Sequence, residues 1–436
     1  MVAPLKVGIA GLGTVGAEVV RLIENESRAL SARCGRTVRV VAVTARSRAK
    51  KRGVDLRGIE WAKNPQALAE DPNVDCFVEL MGGAGDPAFS AIEAALKSGK
   101  SVVTANKALI ARHGLRLAHA AEKHGGALNF EAAVGAAIPV IKTLREGLAG
   151  TGINRVYGIL NGTCNYILTR MEQEGLSFAE CLKDAQRLGY AEANPSFDVD
   201  GHDTAQKLAI LASLAFGTKV AQSAVYVEGI SSIAPEDLRA AEELGYRVKL
   251  LGVAVRTAKG IEQRVHPTMV PKSSSIAQVM GVTNAVTIDG EGIPPITLVG
   301  PGAGGAATAS AVVADIADIA RGVRVNPFGR PVERLRTTSK APMERHEGGY
   351  YIRLMARDLA GTAATIATRL AEQKISIESI VQRHSNGAGA AGNASRVPVI
   401  LITYATHEDA VYRALEAVQR DKVISGRPQV IRIEKN

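Results

Sequence analysis

The chain has 436 residues, 46% of them hydrophobic, so it is long enough to bury the cores of two or three domains. Its net charge of +10 favours anionic partners such as nucleotide phosphates. It lacks the basic tail or aromatic-interleaved basic stripe that is typical of nucleic-acid binders, which argues against a nucleic-acid partner.

Cysteine spacing and the lack of long apolar segments indicate the compartment. The four cysteines show no CxxC or CxxH spacing, which argues against a disulfide framework or a zinc site. The first residues enter a predicted strand without a signal-peptide pattern, and no apolar run reaches the roughly 18 residues of a membrane span. We expect a cytoplasmic protein with no membrane partner.

Residues 1–135 predict a Rossmann-type, doubly wound parallel sheet of the α/β class. A strand at 5–11 leads through a Gly-rich turn into a helix that ends near Asn25, and a second strand follows at 38–44. The remaining predicted elements of this domain are strands at 76–80, 101–104 and 128–131 and helices at 89–97 and 115–124.

Longer elements after residue 135 predict an α+β domain at 136–329. Its predicted elements are helices at 138–149 and 165–174 and strands at 155–160 and 248–256. A Gly-rich segment at 300–305 precedes a helix at 307–321, which we expect to pack back on the first domain.

A polar stretch at 330–349 predicts a linker, and residues 350–436 predict a separate unit of order βαββαβ. Its predicted strands are 350–356, 376–382, 398–404 and 429–433, and its helices are 362–373 and 408–419. Residues 385–395 are rich in Gly, Ala, Asn and Ser and predict a mobile hairpin tip.

The turn after the first strand reads Gly11-Leu12-Gly13-Thr14-Val15-Gly16, which fits GxGxxG between a strand and a helix. The glycines of this motif permit a tight turn, a close approach to a pyrophosphate and close helix packing. The alternative is a tight turn that binds no ligand.

The segment after the second strand indicates which dinucleotide binds. It contains no acid that could bind the ribose hydroxyls of NAD, but it offers Arg46, with Arg48 or Lys50 nearby, to a 2′-phosphate. We therefore predict NADP, with NAD as the alternative. A solvated basic loop remains the other interpretation.

Asp203 and Lys207 are four residues apart and share a face if the segment is helical. A solvated pair of this kind contributes only about 0.3 to 0.5 kcal/mol, and a surface ion pair is the simpler interpretation. Because Lys207 lies in an apolar run that ends at Phe216, we expect a buried amine with a chemical role.

Four distinctive motifs follow one another along the chain. They are Thr104-Ala105-Asn106-Lys107, Leu160-Asn161-Gly162-Thr163-Cys164-Asn165-Tyr166-Ile167, Gly189-Tyr190-Ala191-Glu192 and Asp198-Val199-Asp200-Gly201-His202-Asp203. Together they resemble the homoserine dehydrogenase family with a C-terminal ACT domain. The resemblance implies reversible NAD(P)H-dependent reduction of aspartate 4-semialdehyde to homoserine, a step towards threonine, methionine and isoleucine.

The resemblance also implies residue roles. Lys207 is the candidate proton donor, Asp203 orients it and Lys107 assists, because charge that grows on the carbonyl oxygen must be neutralised. Glu192 would hold the α-ammonium of the substrate beside Asp198, while Gly162, Thr163 and Tyr190 form walls. The implied cofactor contacts are Gly11, Gly13, Thr14, Val15, Gly16, Arg46, Arg48, Thr104, Lys107 and Gly302. Without the resemblance, Lys107 reads as a strand-end lysine, Glu192 as a loop carboxylate and Gly302 as part of a helix-entry turn.

Residues 131–138 resemble the monovalent-cation loop of the family, in which backbone carbonyls bind sodium. The matching carbonyls belong to Glu131, Val134, Ala136 and Ile138. Ala136 and Ala137 replace glycines of the pattern, so a need for positive φ at either position would weaken the site.

The C-terminal unit resembles ACT modules, which pair to form effector sites. The resemblance implies threonine as the effector and a homodimer or homotetramer. Ala360 stands where proline is common, so the fold is better supported than ligand binding. A purely dimerising role is the alternative.

Two rival functions fit part of the pattern. One is a related dehydrogenase that acts on another amino-acid substrate through Lys207. The other is a sensor that binds nucleotide and amino acid without turnover, against which the intact set of lysines and carboxylates argues.

Overall fold

The computed structural model describes residues 2–337, 346–382 and 396–434. Its N-terminal domain is a six-stranded sheet in the order β3-β2-β1-β4-β5-β6, and every neighbouring pair is parallel. The elements are β1 (Leu5–Ala10), α1 (Thr14–Asn25), α2 (Ser27–Cys34), β2 (Val38–Thr44), β3 (Glu60–Trp61), α3 (Pro65–Glu70), β4 (Cys76–Glu79), α4 (Ala88–Lys97), β5 (Ser101–Thr104), α5 (Lys107–His124) and β6 (Leu128–Asn129). This order confirms the predicted doubly wound sheet.

Helices cover both faces of this sheet, which is why its strands are apolar on both sides. Val7 and Ile9 of β1 pack with α1 on one face, while Phe77 of β4 packs with α4 and α5 on the other. Two core clusters therefore sandwich the sheet.

The predicted helix at 115–124 begins eight residues too late, because α5 starts at Lys107. The side chain of Asn106 accepts a hydrogen bond from Leu109 N at 3.1 Å and caps the helix. Lys107 therefore lies at the first position of a helix and not at the end of a strand.

The central domain contributes two layers, helices and strands of a second sheet. Its elements are α6 (Val140–Lys142), β7 (Ile153–Ile159), α7 (Gly162–Glu174), α8 (Phe178–Arg187), α9 (Ser196–Val199), α10 (His202–Phe216), β8 (Tyr226–Val227), α11 (Pro235–Glu243), β9 (Tyr246–Thr257), β10 (Gly260–Pro271), β11 (Thr283–Gly290), β12 (Ile296–Pro301) and α12 (Gly305–Ala320). Val312 and Ile316 of α12 join the core of the N-terminal domain, against α1.

The long helix predicted at 138–149 is wrong. Only Val140–Lys142 is α-helical, and Thr143–Gly147 forms a π-helical turn in which Leu148 N donates to Thr143 O. Pro139 lies directly before the α-helical segment, and Gly147 ends the π-helical turn. These two residues interrupt the apolar run at 138–149 from which the long helix was predicted.

The C-terminal unit has the order βαββαβ with one additional two-residue strand. Its elements are β13 (Glu347–Arg357), α13 (Thr362–Glu372), β14 (Ile377–Gln382), β15 (Arg396–Thr403), β16 (Thr406–His407), α14 (Glu408–Arg420) and β17 (Ile424–Ile433). The predicted hairpin tip at 385–395 and residues 338–345 of the predicted linker lie outside the described residues.

One continuous mixed sheet of eleven strands joins the C-terminal unit to the central domain. Its main path is β12-β11-β7-β9-β10-β17-β13-β15-β14, with β8 beside β10 and β16 beside β13. The junction is a parallel pairing of β10 with β17, in which Thr268 faces Arg432 and Met269 faces Ile433. The C-terminal unit has a core of its own, but its sheet is shared.

Among the residues described by the structure, no helix is both long and apolar enough to cross a membrane.

Candidate active site

Lys207 lies on α10, a helix whose residues from Asp203 to Phe216 are all buried. Its Nζ donates to Leu160 O at 2.7 Å and to Asp203 Oδ2 at 2.9 Å. An ammonium has three donors, so these two contacts leave the third N–H for a ligand. The lysine is 9% exposed, which rules out the surface ion pair.

Asp203 bridges two lysines. Its Oδ1 lies 3.1 Å from Lys107 Nζ, and its Oδ2 accepts from Lys207 and, at 2.9 Å, from Asn161 Nδ2. Burial raises the pKa of Asp203, but the two ammonium groups and the Asn161 hydrogen bond outweigh burial and lower the pKa to about 2. The carboxylate is therefore ionised at neutral pH.

Asn161 organises the opposite wall of the site. Its Oδ1 caps α7 by accepting from Cys164 N at 2.8 Å, and its Nδ2 donates to Asp198 Oδ1 at 2.8 Å as well as to Asp203. Burial raises the pKa of Asp198, which Asn161 partly opposes. Sequence analysis did not select Asn161, although a polar residue between a strand and a helix is a cap signal.

The predicted wall residues lie beside this cluster. A Cβ on Gly162 would approach Val282 O to 2.6 Å, so the α7 entrance is closed to larger residues. Thr163 Oγ1 donates to Tyr190 O at 2.6 Å. The ring centroids of Tyr190 and Tyr166 lie 5.0 Å apart in an edge-to-face arrangement. These contacts bring the loop after α8 to the start of α7.

Glu192 lies on the same loop and is exposed. Its backbone carbonyl accepts from Gln186 Nε2 at 3.1 Å. Within the described part of the chain, no hydrogen bond or ion pair joins its carboxylate to Asp203 or Lys207.

A buried polar network connects Lys107 to the N-terminal sheet. Thr104 Oγ1 donates to Glu79 Oε2 at 2.6 Å and accepts from Asn106 N at 3.0 Å. The other carboxylate oxygen of Glu79 accepts from Met81 N and Gly82 N. Glu79 and Asn106 were not selected from the sequence, and they fix the ends of β4 and β5 where Lys107 enters the site.

The GxGxxG turn has the geometry of a phosphate cradle. Gly11 has φ +105°, and a Cβ there would lie 2.5 Å from Leu80 O, while a Cβ on Gly16 would lie 2.0 Å from Gly11 O. Gly13 caps α1 without a side chain and faces open space. The first N–H groups of α1, from Thr14 onward, are thus available to an anion.

The Gly-rich segment at 300–305 lies against this turn. A Cβ on Gly305 would approach Thr14 Cγ2 to 2.8 Å, and one on Gly302 would overlap the side chain of Asn284. Asn284 Oδ1 is buried and has no hydrogen-bond partner among the described residues. The segment thus borders the α1 entrance and, through Asn284, the neighbourhood of Gly162 at the start of α7.

Arg52, which sequence analysis did not select, shapes the basic loop. Its Nε donates to Leu12 O at 3.0 Å, and its guanidinium lies 5.6 Å from the centroid of the Trp61 ring. Arg48 lies 5.4 Å from the same centroid, and Arg46 and Arg48 are exposed. Arg52 therefore holds the basic loop against the Gly-rich turn, and Arg48 lies over the same Trp61 ring.

The loop at 131–138 contains a strained alanine. Ala136 has φ +43°, a conformation that costs a non-glycine residue about 1 to 2 kcal/mol. The carbonyl of Ile138 accepts one N–H group, from Val140, whereas the carbonyl of Glu131 accepts two, from Val134 and Gly135. A carbonyl oxygen has two lone pairs, so Ile138 O keeps one for a cation and both lone pairs of Glu131 O are engaged.

A GxGxxG cradle on a doubly wound sheet, with a buried lysine at its edge, defines an NAD(P)-dependent oxidoreductase. The family model for the NAD binding domain of homoserine dehydrogenase matches residues 11–131, and the homoserine dehydrogenase model matches residues 139–317. The chain belongs to the homoserine dehydrogenase family.

Relatives and solved structures agree with this membership. Homoserine dehydrogenases from Neisseria gonorrhoeae and Pseudomonas aeruginosa are 41% and 42% identical to the chain, each over 99% of both sequences. The crystal structure of a homoserine dehydrogenase from Thiobacillus denitrificans superimposes with a TM-score of 0.92 at 42% identity, covering 99% of this chain and 98% of that one. A hyperthermophilic archaeal homoserine dehydrogenase in complex with NADPH has a TM-score of 0.62 at 28% identity and covers 72% of this chain and 97% of its own.

We predict that Asp203→Asn destabilises the protein by about 3 kcal/mol at pH 7, because it leaves the buried ammonium of Lys207 and the partly exposed ammonium of Lys107 without their carboxylate. The pKa of Asp203 falls from 3.8 to about 2 on folding, so its contribution is complete above pH 3.8 and is lost as the pH falls through 2. Urea unfolding at several pH values should show a constant difference in the free energy of unfolding between wild type and Asp203→Asn near neutral pH. This difference should narrow in acid.

The control is Asp200→Asn, which changes an exposed carboxylate three residues before Asp203, in the turn that precedes α10. Its stability should follow the wild type at every pH. A difference for Asp203→Asn that widens in acid would contradict the assigned ion cluster.

Proposed function

We propose that the chain catalyses the reversible reduction of L-aspartate 4-semialdehyde to L-homoserine, with a preference for NADPH, in the biosynthesis of threonine, methionine and isoleucine. Family membership supports the reaction. The observation that carries the mechanism is the buried Lys207 ammonium, held by Leu160 O and Asp203 with its third N–H unengaged.

NADPH, when bound, supplies a hydride to the aldehyde carbon. Negative charge then develops on the carbonyl oxygen, and Lys207 neutralises it and donates the proton that completes the alcohol. Asp203 and Leu160 O fix the direction of the ammonium, and the charge of Asp203 also holds Lys107 nearby. In the oxidative direction the neutral amine of Lys207 accepts the hydroxyl proton.

The substrate α-ammonium is assigned to carboxylates on the loop between α8 and α10. Asp198 contacts the catalytic cluster through Asn161, and Glu192 offers an exposed carboxylate on the same loop. Tyr190, Gly162 and Thr163 border the space between these carboxylates and α7. A primary ammonium between carboxylates is a charge-assisted arrangement of the strong kind.

The dinucleotide is assigned to the cradle of Gly11, Gly13 and Gly16, with Thr14 and Val15 at the start of α1. Its far end would reach Thr104 and Lys107, and Gly302 would close over it. The exposed guanidinium groups of Arg46 and Arg48, with no acid in that loop, favour a 2′-phosphate and hence NADP. The archaeal homoserine dehydrogenase whose structure is a complex with NADPH supports the same choice.

A monovalent cation such as sodium is assigned to the carbonyls of Glu131, Val134, Ala136 and Ile138. The free lone pair of Ile138 O supports this proposal, whereas the positive φ of Ala136 counts against it, because glycine would adopt that turn without strain.

The C-terminal unit is proposed to be an ACT domain that binds threonine and regulates a cytoplasmic homodimer or homotetramer. Its βαββαβ order and the packing of α13 and α14 on one face of the sheet support this proposal. A role in dimerisation alone is the alternative.

We predict that Lys207→Met lowers kcat for homoserine oxidation by about 1000-fold, because a thioether can neither neutralise the oxygen nor accept its proton. NADPH binding, followed by fluorescence, should be preserved. The matched control is Lys219→Met, an exposed lysine that follows the same helix and should leave kcat unchanged. Wild-type rates in Lys207→Met would refute the mechanism.

We predict that Arg46→Ala weakens NADP binding by about 10-fold through loss of a charged hydrogen bond, while NAD binding changes little. Calorimetric titration of both dinucleotides measures this change. Lys63→Ala, which removes an exposed charge beyond the loop, is the control. An unchanged ratio of NADP to NAD affinity would reject the role of Arg46.

We predict that millimolar threonine inhibits homoserine oxidation and gives binding heat in calorimetry. Valine has nearly the same shape without the hydroxyl and serves as the control ligand. If threonine neither binds nor inhibits, the C-terminal unit has only a dimerising role.

A further inference from the structure

The turn at residues 198–201 carries Asp198 and leads directly into α10, which bears Asp203 and Lys207. A second segment, residues 227–230, packs against this turn. Ile230 N donates to Val199 O at 2.9 Å. We call residues 227–230 the supporting segment.

The contact between the turn and the supporting segment leaves no space for an added methyl group. A Cβ on Gly229 would lie 2.3 Å from Val199 O, and one on Gly201 would lie 3.1 Å from Val227 Cγ1. Gly201 also has φ +87°, which strains any other residue. Because close-packed groups transmit small displacements, a shift of the supporting segment must shift the turn.

The C-terminal unit holds the supporting segment through one ion pair. Arg432 of β17 donates from Nη1 to Glu228 Oε2 at 2.8 Å. Its Nε and Nη2 donate to the carboxylate of Glu408, the first residue of α14, at 2.8 and 2.6 Å. The side chain of Arg432 is 2% exposed, and the ring of Tyr226 lies 5.2 Å from its guanidinium carbon.

This arrangement fixes Glu228 in direction as well as in distance. A guanidinium is planar and presents its donors in a rigid fork. Because Glu408 binds two nitrogens of Arg432, the position of the third nitrogen, Nη1, is fixed as well. Glu228 N also donates to Val265 O of β10 at 2.8 Å. The supporting segment is thus held by the central sheet on its backbone and by the C-terminal unit on its side chain.

We propose that Glu228 and Arg432 are positioning residues for the homoserine dehydrogenase reaction. They act through the supporting segment to keep Asp198 in the geometry that binds the substrate. The proposal rests on the proposed function for its reaction. Neither residue touches the reacting atoms.

The test compares Glu228→Gln with the wild type. The substitution keeps the size of the side chain and removes the charge that holds it to Arg432. The KM for homoserine should rise by about 3- to 20-fold, with kcat and the KM for NADP within twofold, because the turn binds substrate and not the cofactor. Amide hydrogen exchange at residues 198–201 should accelerate.

Arg432→Lys is the second variant, since it retains the buried charge but loses the rigid fork. Arg432→Lys should also raise the KM for homoserine and accelerate amide exchange at residues 198–201. In the double variant the rise in KM should not exceed that of the stronger single variant, as expected for two residues that act through one contact.

The control is Glu434→Gln, two residues beyond Arg432. Glu434 forms ion pairs with Arg155 of β7 and Arg264 of β10 across the same junction. Among the residues that the structure describes, no hydrogen bond or ion pair joins its side chain to the supporting segment. This variant should lose stability without a change in homoserine KM or in exchange at residues 198–201.

Two results would overturn the proposal. One is an unchanged homoserine KM and unchanged exchange in Glu228→Gln. The other is equal changes in Glu228→Gln and Glu434→Gln, which would indicate general loosening of the junction. Failure of the wild type to oxidise homoserine would instead refute the proposed function, and the exchange comparison would still test the positioning contact.

Discussion

The active site depends on one buried carboxylate. Removing Asp203 from water costs several kcal/mol, and two ammonium groups and an amide N–H offset that cost. Without this charge, the buried ammonium of Lys207 would lose its counter-ion and would be repelled by the partly exposed ammonium of Lys107. The carboxylate therefore stabilises the cluster and also sets the direction of the Lys207 amine.

The same carboxylate aligns two domains. Lys107 begins α5 directly after β5 of the N-terminal sheet, whereas Asp203 and Lys207 lie on α10 of the central domain. In doubly wound sheets, ligands bind outside the carboxyl ends of the strands. Because Lys107 stands at that edge, its contact with Asp203 brings the Lys207 amine to the edge of the sheet at which such folds bind their ligands. The Glu79–Thr104 hydrogen bond keeps this edge in order.

Local patterns predicted much of this fold, and contacts between distant residues account for what they missed. The GxGxxG turn and the strand–helix alternation indicated the N-terminal sheet, and the spacing of Asp203 and Lys207 indicated a pair on one helix face. Asn161 joins that pair from 42 positions away, which no local pattern reports. The pairing of β10 with β17 is equally invisible, since parallel strands from distant parts of the chain leave no turn between them.

The shared sheet limits how the C-terminal unit can act on the active site. Tyr350 and Ile352 of β13 face the core with α13 and α14, while Tyr351 between them faces the central domain and donates to Asp237 of α11. Because side chains alternate along a strand, the sheet of the C-terminal unit lies between its own helices and the central domain. A rigid-body rotation would have to break the β10–β17 pairing and the buried contacts of Asp237 together. An effect of this unit on the active site would therefore travel as a small shift at close-packed contacts, such as the contact between residues 227–230 and residues 198–201.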